Sequence, residues 1–133
     1  MQESPPLRIL VIQPDQWPRA LLRAELIERG YDAVGAADFI DALICHPQDP
    51  ERGPVRLILV DQAALGGSAD ELLASLRARH SNALMMLLRG HAFPAPSGNW
   101  DGVVTRPVTI GELASEIEAR VPIRCPDHAR MDA

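Results

Sequence analysis

The sequence predicts an α/β domain in which five short strands form one parallel sheet with helices on both faces. Three observations carry this. Five apolar runs of strand length recur along the chain, and the segments between most of them repeat leucine or isoleucine at helical spacing. One run, Leu57-Ile58-Leu59-Val60, is apolar at successive positions, as a parallel strand covered on both faces requires. Strand and helix alternate, and right-handed crossovers convert that alternation into a parallel doubly wound sheet. A chain of 133 residues suffices for one such domain with a single core.

Leu7–Ile12 is the first strand, stopped by Gln13-Pro14-Asp15, since proline cannot donate to a central ladder. From Gln16 to Arg29, Leu22, Leu26 and Ile27 repeat at helical spacing. Pro18 suits the first turn and Gly30 the stop. Tyr31–Ala36 reads as the second strand. Asp38–His46 reads as a helix capped by Asp38 and ended before Pro47, and the polar loop Gln48–Pro54 follows. Val55–Val60 is the third strand and ends on Asp61. Ser68–His80 is a helix with Ser68 and Glu71 at capping-box spacing, and Leu72, Leu73 and Leu76 give it an apolar face. Ala83–Leu88 is the fourth strand. Arg89–Asp101, rich in glycine and proline and without helical periodicity, predicts mostly loop. Gly102–Thr105 is the fifth strand. The last helix is Thr109–Val121, with Thr109 and Glu112 as a capping box and Leu113, Ile117 and Val121 inward. The domain is expected to span residues 1–121, with 122–133 a flexible C-terminal tail.

Composition narrows the chemistry. All thirteen basic residues are arginine, scattered without clusters, and the net charge is -5, which opposes binding to a phosphate backbone. The absence of lysine removes Schiff-base and P-loop lysine mechanisms. No stretch approaches the roughly eighteen apolar residues of a membrane span, and Met1–Pro6 is not a signal peptide, so a cytoplasmic protein away from the membrane is expected. Cys45 and Cys125 lie far apart and read as a buried thiol and a tail thiol. His46, His80, His91 and His128 form no metal or catalytic motif and read as helix-end or solvated histidines. Trp17 and Trp100 fit either core or an exposed anchor.

In a doubly wound sheet, sites form at the carboxyl ends of the strands. Here those positions carry Gln13, Pro14 and Asp15, then Asp61, then Leu88 and Arg89, then Thr105, Arg106 and Pro107. The segments "RILVIQPD", "RLILVDQ" and "GVVTRPVTIGEL" resemble the three anchor segments of response-regulator receiver domains over about residues 7–121. The resemblance implies a flavodoxin-like (CheY-like) sheet in the order 2-1-3-4-5, with the helix before the last strand shortened or replaced by the Arg89–Asp101 loop. It also places Asp61 at the phosphoacceptor position. The family has an acid pair where Gln13 and Pro14 stand, with Asp15 one residue too late. Leu88 replaces its hydroxyl residue, or Arg89 if the register slips by one. Arg106 replaces its lysine, Pro107 is kept, and Val103 stands where many receivers carry a rotating aromatic.

These substitutions bear on chemistry. Phosphoryl transfer to a carboxylate brings negative charges together, and a magnesium ion held by carboxylates and waters ordinarily bridges them. Asp61, with Asp15 the only other carboxylate at hand, predicts a poor magnesium site, so no cofactor is expected unless phosphorylation is retained. Asp61 is expected to pair with Arg106, and Asp15 to act as a helix N-cap or first-turn charge. The expected role is therefore that of a non-enzymatic pseudo-receiver in a two-component or related system. It would dock a protein partner, such as a sensor kinase or downstream regulator, or a second copy of itself. Its first helix, last helix or Arg89–Asp101 loop would supply the contact. The alternative is a single-domain response regulator phosphorylated at Asp61 by a histidine kinase. An enzyme or cofactor carrier on the same fold is disfavoured, because the turn after the first strand has no phosphate cradle.

Overall fold

In the computed structural model, which describes residues 5–45, 47, 49–65, 69–90 and 99–123, strands and helices alternate as the apolar runs predict. The elements are β1 (Arg8–Ile12), α1 (Gln16–Glu28), β2 (Asp32–Ala36), α2 (Phe39–Ala42), β3 (Val55–Asp61), a 3-10 turn (Gln62–Ala64), α3 (Ala69–Arg79), β4 (Leu84–Arg89), β5 (Gly102–Thr105) and α4 (Ile110–Arg120). All four neighbouring strand pairs are parallel, and the sheet order is β2-β1-β3-β4-β5. This is the doubly wound flavodoxin-like topology.

Side chains of a strand alternate between the two faces of a sheet, and here both faces are covered. Ile9, Val11, Leu57 and Leu59 pack with Leu22 and Leu26 of α1 and Leu113 and Ile117 of α4. On the opposite face, Leu10, Ile12, Ile58 and Val60 pack with Leu73 and Leu76 of α3. Two-sided burial is why the Leu57–Val60 run is apolar at every position. Burial at roughly 1.5–3 kcal/mol for each large aliphatic side chain makes these two layers the main source of stability.

Some element ends differ from the sequence expectation, most of them by one residue. The helix expected over Asp38–His46 is α-helical only at Phe39–Ala42, because Leu43, Ile44 and Cys45 each donate to the carbonyl three residues back. That tighter winding advances three residues per turn. It sets Phe39, Ala42 and Cys45 on one face toward the sheet, while Ile40, Leu43 and Ile44 point outward. Strand β4 runs one residue past Leu88 to Arg89, and β3 includes Asp61. The Ser68 cap, most of the Arg89–Asp101 loop, the C-terminal tail from residue 124 and His46, His91, Cys125 and His128 lie outside the described residues. On either side of that gap, Gly90, Asn99 and Trp100 are not helical. Asp101 rejoins the sheet by donating its backbone N–H to the Met85 carbonyl at 2.8 Å, and its carboxylate accepts from the Met85 N–H at 2.8 Å.

The helix ends follow local chemistry. Thr109 and Glu112 satisfy each other's backbone N–H groups as a capping box. Gly30 takes φ 106°, the left-handed conformation that ends α1 and turns the chain into β2. Tyr31, buried at that turn, donates its hydroxyl to the carbonyl of Val121 and so ties the start of β2 to the end of α4. Burial pushes its phenol up to about 12.

Candidate functional site at the carboxyl edge

The strand registers bring the sequence-predicted positions together. Ile12 lies opposite Val60, Asp61 opposite Leu88, and Leu88 opposite Val104. Thus Leu88, and not Arg89, sits beside Asp61, and the one-residue alternative falls away. Leu88 is buried in the core layer shared with α1 and α4. Arg106, one residue past β5, is held by its backbone N–H to the carbonyl of Arg89 at 2.9 Å, and the Arg106–Pro107 peptide is cis.

Asp61 is 3% exposed, yet its carboxylate is fully engaged. One oxygen, Oδ2, accepts from the Gln13 side-chain amide at 2.5 Å and from the Arg106 guanidinium. The other, Oδ1, accepts from the backbone N–H of Ala63 at 2.8 Å, where Asp61 also caps the 3-10 turn. The expected Asp61–Arg106 pair is therefore present. Three donors on a buried carboxylate offset the desolvation that an isolated one would suffer.

Gln13 does more than occupy a missing acid's place. Its backbone N–H continues the ladder to Ala36 at 2.9 Å, which fixes the residue against β2. Its side-chain oxygen accepts from the Asp15 N–H at 3.0 Å while its nitrogen faces Asp61. The backbone oxygen accepts from Arg19 of α1 at 2.7 Å. Sequence reasoning read Gln13 as lost charge and missed the amide as a donor. The available signal was its position, since a residue at the end of β1 lies next to the end of β3. Pro14 and Asp15 are exposed, and Asp15 occupies the N-cap position of α1 without a side-chain capping bond. Asp15 therefore stands at the N-cap as expected, where its charge suits the macrodipole although its side chain makes no capping bond.

Magnesium would need oxygen ligands, ordinarily one or two carboxylates. At this edge the one buried carboxylate already accepts at both oxygens. Among the described residues no group of three or more His, Cys, Asp or Glu side chains is placed to share a metal ion. Below Asp61 the side chains leave a cavity of about 220 Å³, lined by strand, α1 and α4 residues together with Gln13, Asp61 and Arg106.

The other residues singled out by sequence fall elsewhere. Trp17 is 73% exposed at the start of α1, whereas Trp100 packs partly buried against the α3 face. Cys45 is buried and accepts from the Arg8 guanidinium at 2.9 Å, and burial pushes its thiol up. His80, expected to be a helix-end or solvated histidine, is 4% exposed, and neither ring nitrogen has a hydrogen-bond partner among the described residues. The signal was its spacing of four from Leu76, which puts it on the inward stripe of α3.

Neither a family model nor a curated protein matches this chain. Solved structures do. The receiver domain of the hybrid histidine kinase CckA is 24% identical with a TM-score of 0.68 over 86% of this chain and 98% of that one. A CheY-like receiver domain protein from Methanospirillum hungatei is 18% identical with a TM-score of 0.68, over 96% and 98%. A structure described as adenylate cyclase from Rhodopirellula baltica is 17% identical with a TM-score of 0.68, over 86% of each chain. The chain has the fold of response-regulator receiver domains. Among the described residues, no helix is long and apolar enough to cross a membrane.

Proposed function

We propose that this chain is a signalling module of the receiver type that works without phosphorylation, by binding a protein partner and not by catalysis. The observation that supports the reading most is the occupancy of the Asp61 carboxylate. Its Oδ2 holds Gln13 and Arg106 and its Oδ1 holds the Ala63 N–H, so the chain's own donors stand where a metal ion and a phosphoryl group would have to enter. The side chain of Asp61 is 5% exposed, and Leu88 beside it has no hydroxyl to follow a new phosphate. A fixed ion pair replaces a switchable one.

A partner surface is supported by exposed apolar side chains. Trp17 and Leu21 stand one turn apart on α1, and Ile40, Leu43 and Ile44 stand on α2 and its following turn. The α2 ridge was not foreseen, because the tighter winding there turns three apolar residues outward. With no lysine and a net charge of -5, the chain favours a protein partner over nucleic acid.

The test is acetyl phosphate or beryllofluoride with magnesium, read by intact mass and tryptophan fluorescence. The expected result is no modification of the natural protein and no difference from Asp61→Asn. Stoichiometric modification that vanishes in Asp61→Asn would overturn the reading and establish a phosphorylated response regulator. As a positive control, the triple variant Gln13→Asp, Leu88→Thr, Arg106→Lys is expected to gain modification.

A further inference from the structure

The cavity of about 220 Å³ below the carboxyl edge lies on the face of the sheet covered by α1 and α4. Val11, Leu59 and Leu88 from three adjacent strands form its floor, and Leu22 and Leu113 form its walls. Protein interiors are close-packed, with few voids larger than a water molecule, and an unfilled apolar void forfeits dispersion contacts. An apolar cavity of roughly 150 Å³ already admits benzene. The space here fits a single ring or a branched chain of about six to ten non-hydrogen atoms.

The polar groups at the cavity decide the head of such a molecule. Asp61 is closed to an ammonium group, since both its oxygens already accept and its side chain is 5% exposed. Arg106 is open: its side chain is 39% exposed, and among the described residues its guanidinium bonds the protein through Nη2 alone, to Asp61. Nη2 has two N–H bonds, one beside Nε and one beside Nη1, so whichever of them meets Asp61 the other completes a free edge with its neighbour, and such an edge matches the two oxygens of a carboxylate. Arg19, donating to the Gln13 backbone oxygen at 2.7 Å, adds a second positive charge beside the same strand end.

We infer that this cavity is a binding site for a small apolar monocarboxylate, with the carboxylate on the free edge of Arg106 and the ring or branched chain against Leu22, Leu59, Leu88 and Leu113. The site differs in kind from a phosphorylation site, because it uses the apolar space beneath Asp61 and leaves the Gln13–Asp61–Arg106 contacts in place. It supplies an input for a module whose carboxylate is held by its own chain, and it rests on the phosphorylation-independent reading to that extent.

The probe is benzoate, titrated into the whole chain without magnesium and followed by amide chemical shifts and calorimetry. Benzyl alcohol, benzylamine and acetate serve as arms that lack the charge, reverse it, or lack the apolar body. Benzoate is expected to bind at least tenfold more tightly than any of the three, with shifts centred on Leu22, Leu88 and Arg106. Arg106→Gln is expected to erase the advantage of benzoate over benzyl alcohol. Val108→Phe, which fills the cavity from the loop between β5 and α4, is expected to abolish binding of both while the far-ultraviolet spectrum stays unchanged. Equal binding of benzoate and acetate, or benzoate binding that survives both variants, overturns the inference. Beryllofluoride modification of Asp61 bears on the phosphorylation reading, and benzoate binding in magnesium-free buffer is read apart from it.

Discussion

Asp61 and His80 are buried to the same depth, 3% and 4% exposed, at opposite ends of the sheet, and they are treated in opposite ways. At the carboxyl edge, three donors from three segments converge on Asp61. At the other end, next to Val55 where β3 begins, the His80 imidazole has no hydrogen-bond partner among the described residues, and burial holds its pKa below the usual histidine value. A buried polar group with partners specifies an arrangement, whereas one without them only costs stability. The difference marks the carboxyl edge as the built site and His80 as a burden the fold carries.

The largest effect that would break the comparison comes from stripping Asp61. Arg106→Leu leaves a buried carboxylate with two neutral donors, and removing one partner of a buried pair costs up to about 3–5 kcal/mol. The partial exposure of Arg106 lowers this to about 2–3 kcal/mol. The check is the urea midpoint at unchanged slope. The double variant Asp61→Leu, Arg106→Leu is expected to recover only part of the loss, since the apolar pair needs no partners but the buried Gln13 amide loses its acceptor. The triple variant Gln13→Leu, Asp61→Leu, Arg106→Leu is expected to recover more, and a loss in it as large as in Arg106→Leu would show that the ion pair is not what Arg106 contributes. Gln13→Leu comes next: it removes one of the three donors and the acceptor of the Asp15 N–H, at about 1–2 kcal/mol. Gln13→Glu is expected to cost more than Gln13→Leu, because a second carboxylate would face Asp61 with no metal between them.

The opposite sign is expected at the other end. His80→Leu replaces an unpartnered imidazole with an apolar side chain of similar reach, so it is expected to stabilise by about 1 kcal/mol. A rise of a few degrees in Tm checks it. A loss instead would mean that the ring nitrogens have a partner that the substitution removes.

How far these two regions could be read from sequence differs for a physical reason. Asp61 and Arg106 were legible, because apolar runs end abruptly and Arg106-Pro107 pins the end of the last strand, so the pair could be anticipated from sequence position. Gln13 was placed correctly but its role was not, since an amide shows its value only through the direction it points. The order of the strands followed from the resemblance; βα alternation alone gives a parallel sheet without saying which strand lies at the edge. The winding at Leu43–Cys45 was illegible because propensity does not distinguish hydrogen bonds to the third residue back from bonds to the fourth over so short a span. His80 was placed correctly at a helix end, but its burial was not read, because histidine there is usually solvated and only the leucine stripe before it argued otherwise.

The smallest expected effect is a pH dependence, and it sharpens the comparison most. The His80 pKa is lowered from 6.5, first by burial and then by the charges of Arg79 and Arg8. The unfolded chain therefore takes up a proton near pH 6.5 that the folded chain resists. Stability is unaffected above that value and falls as pH drops below it, with a slope of at most about 1.4 kcal/mol per pH unit, until the folded group itself titrates. Glu112 and Asp49 also have lowered values, but they act around and below their ordinary 4.5 and 3.8. Unfolding midpoints between pH 7 and pH 5 therefore isolate histidine. His80→Leu is expected to be the more stable protein at every pH in that window, by a margin that widens toward pH 5. A margin that stays constant would mean that His80 takes up its proton equally in both states and that its burial carries no electrostatic cost. The imidazole would then be satisfied after all, and the contrast with Asp61 would reduce to the number of donors each group can collect.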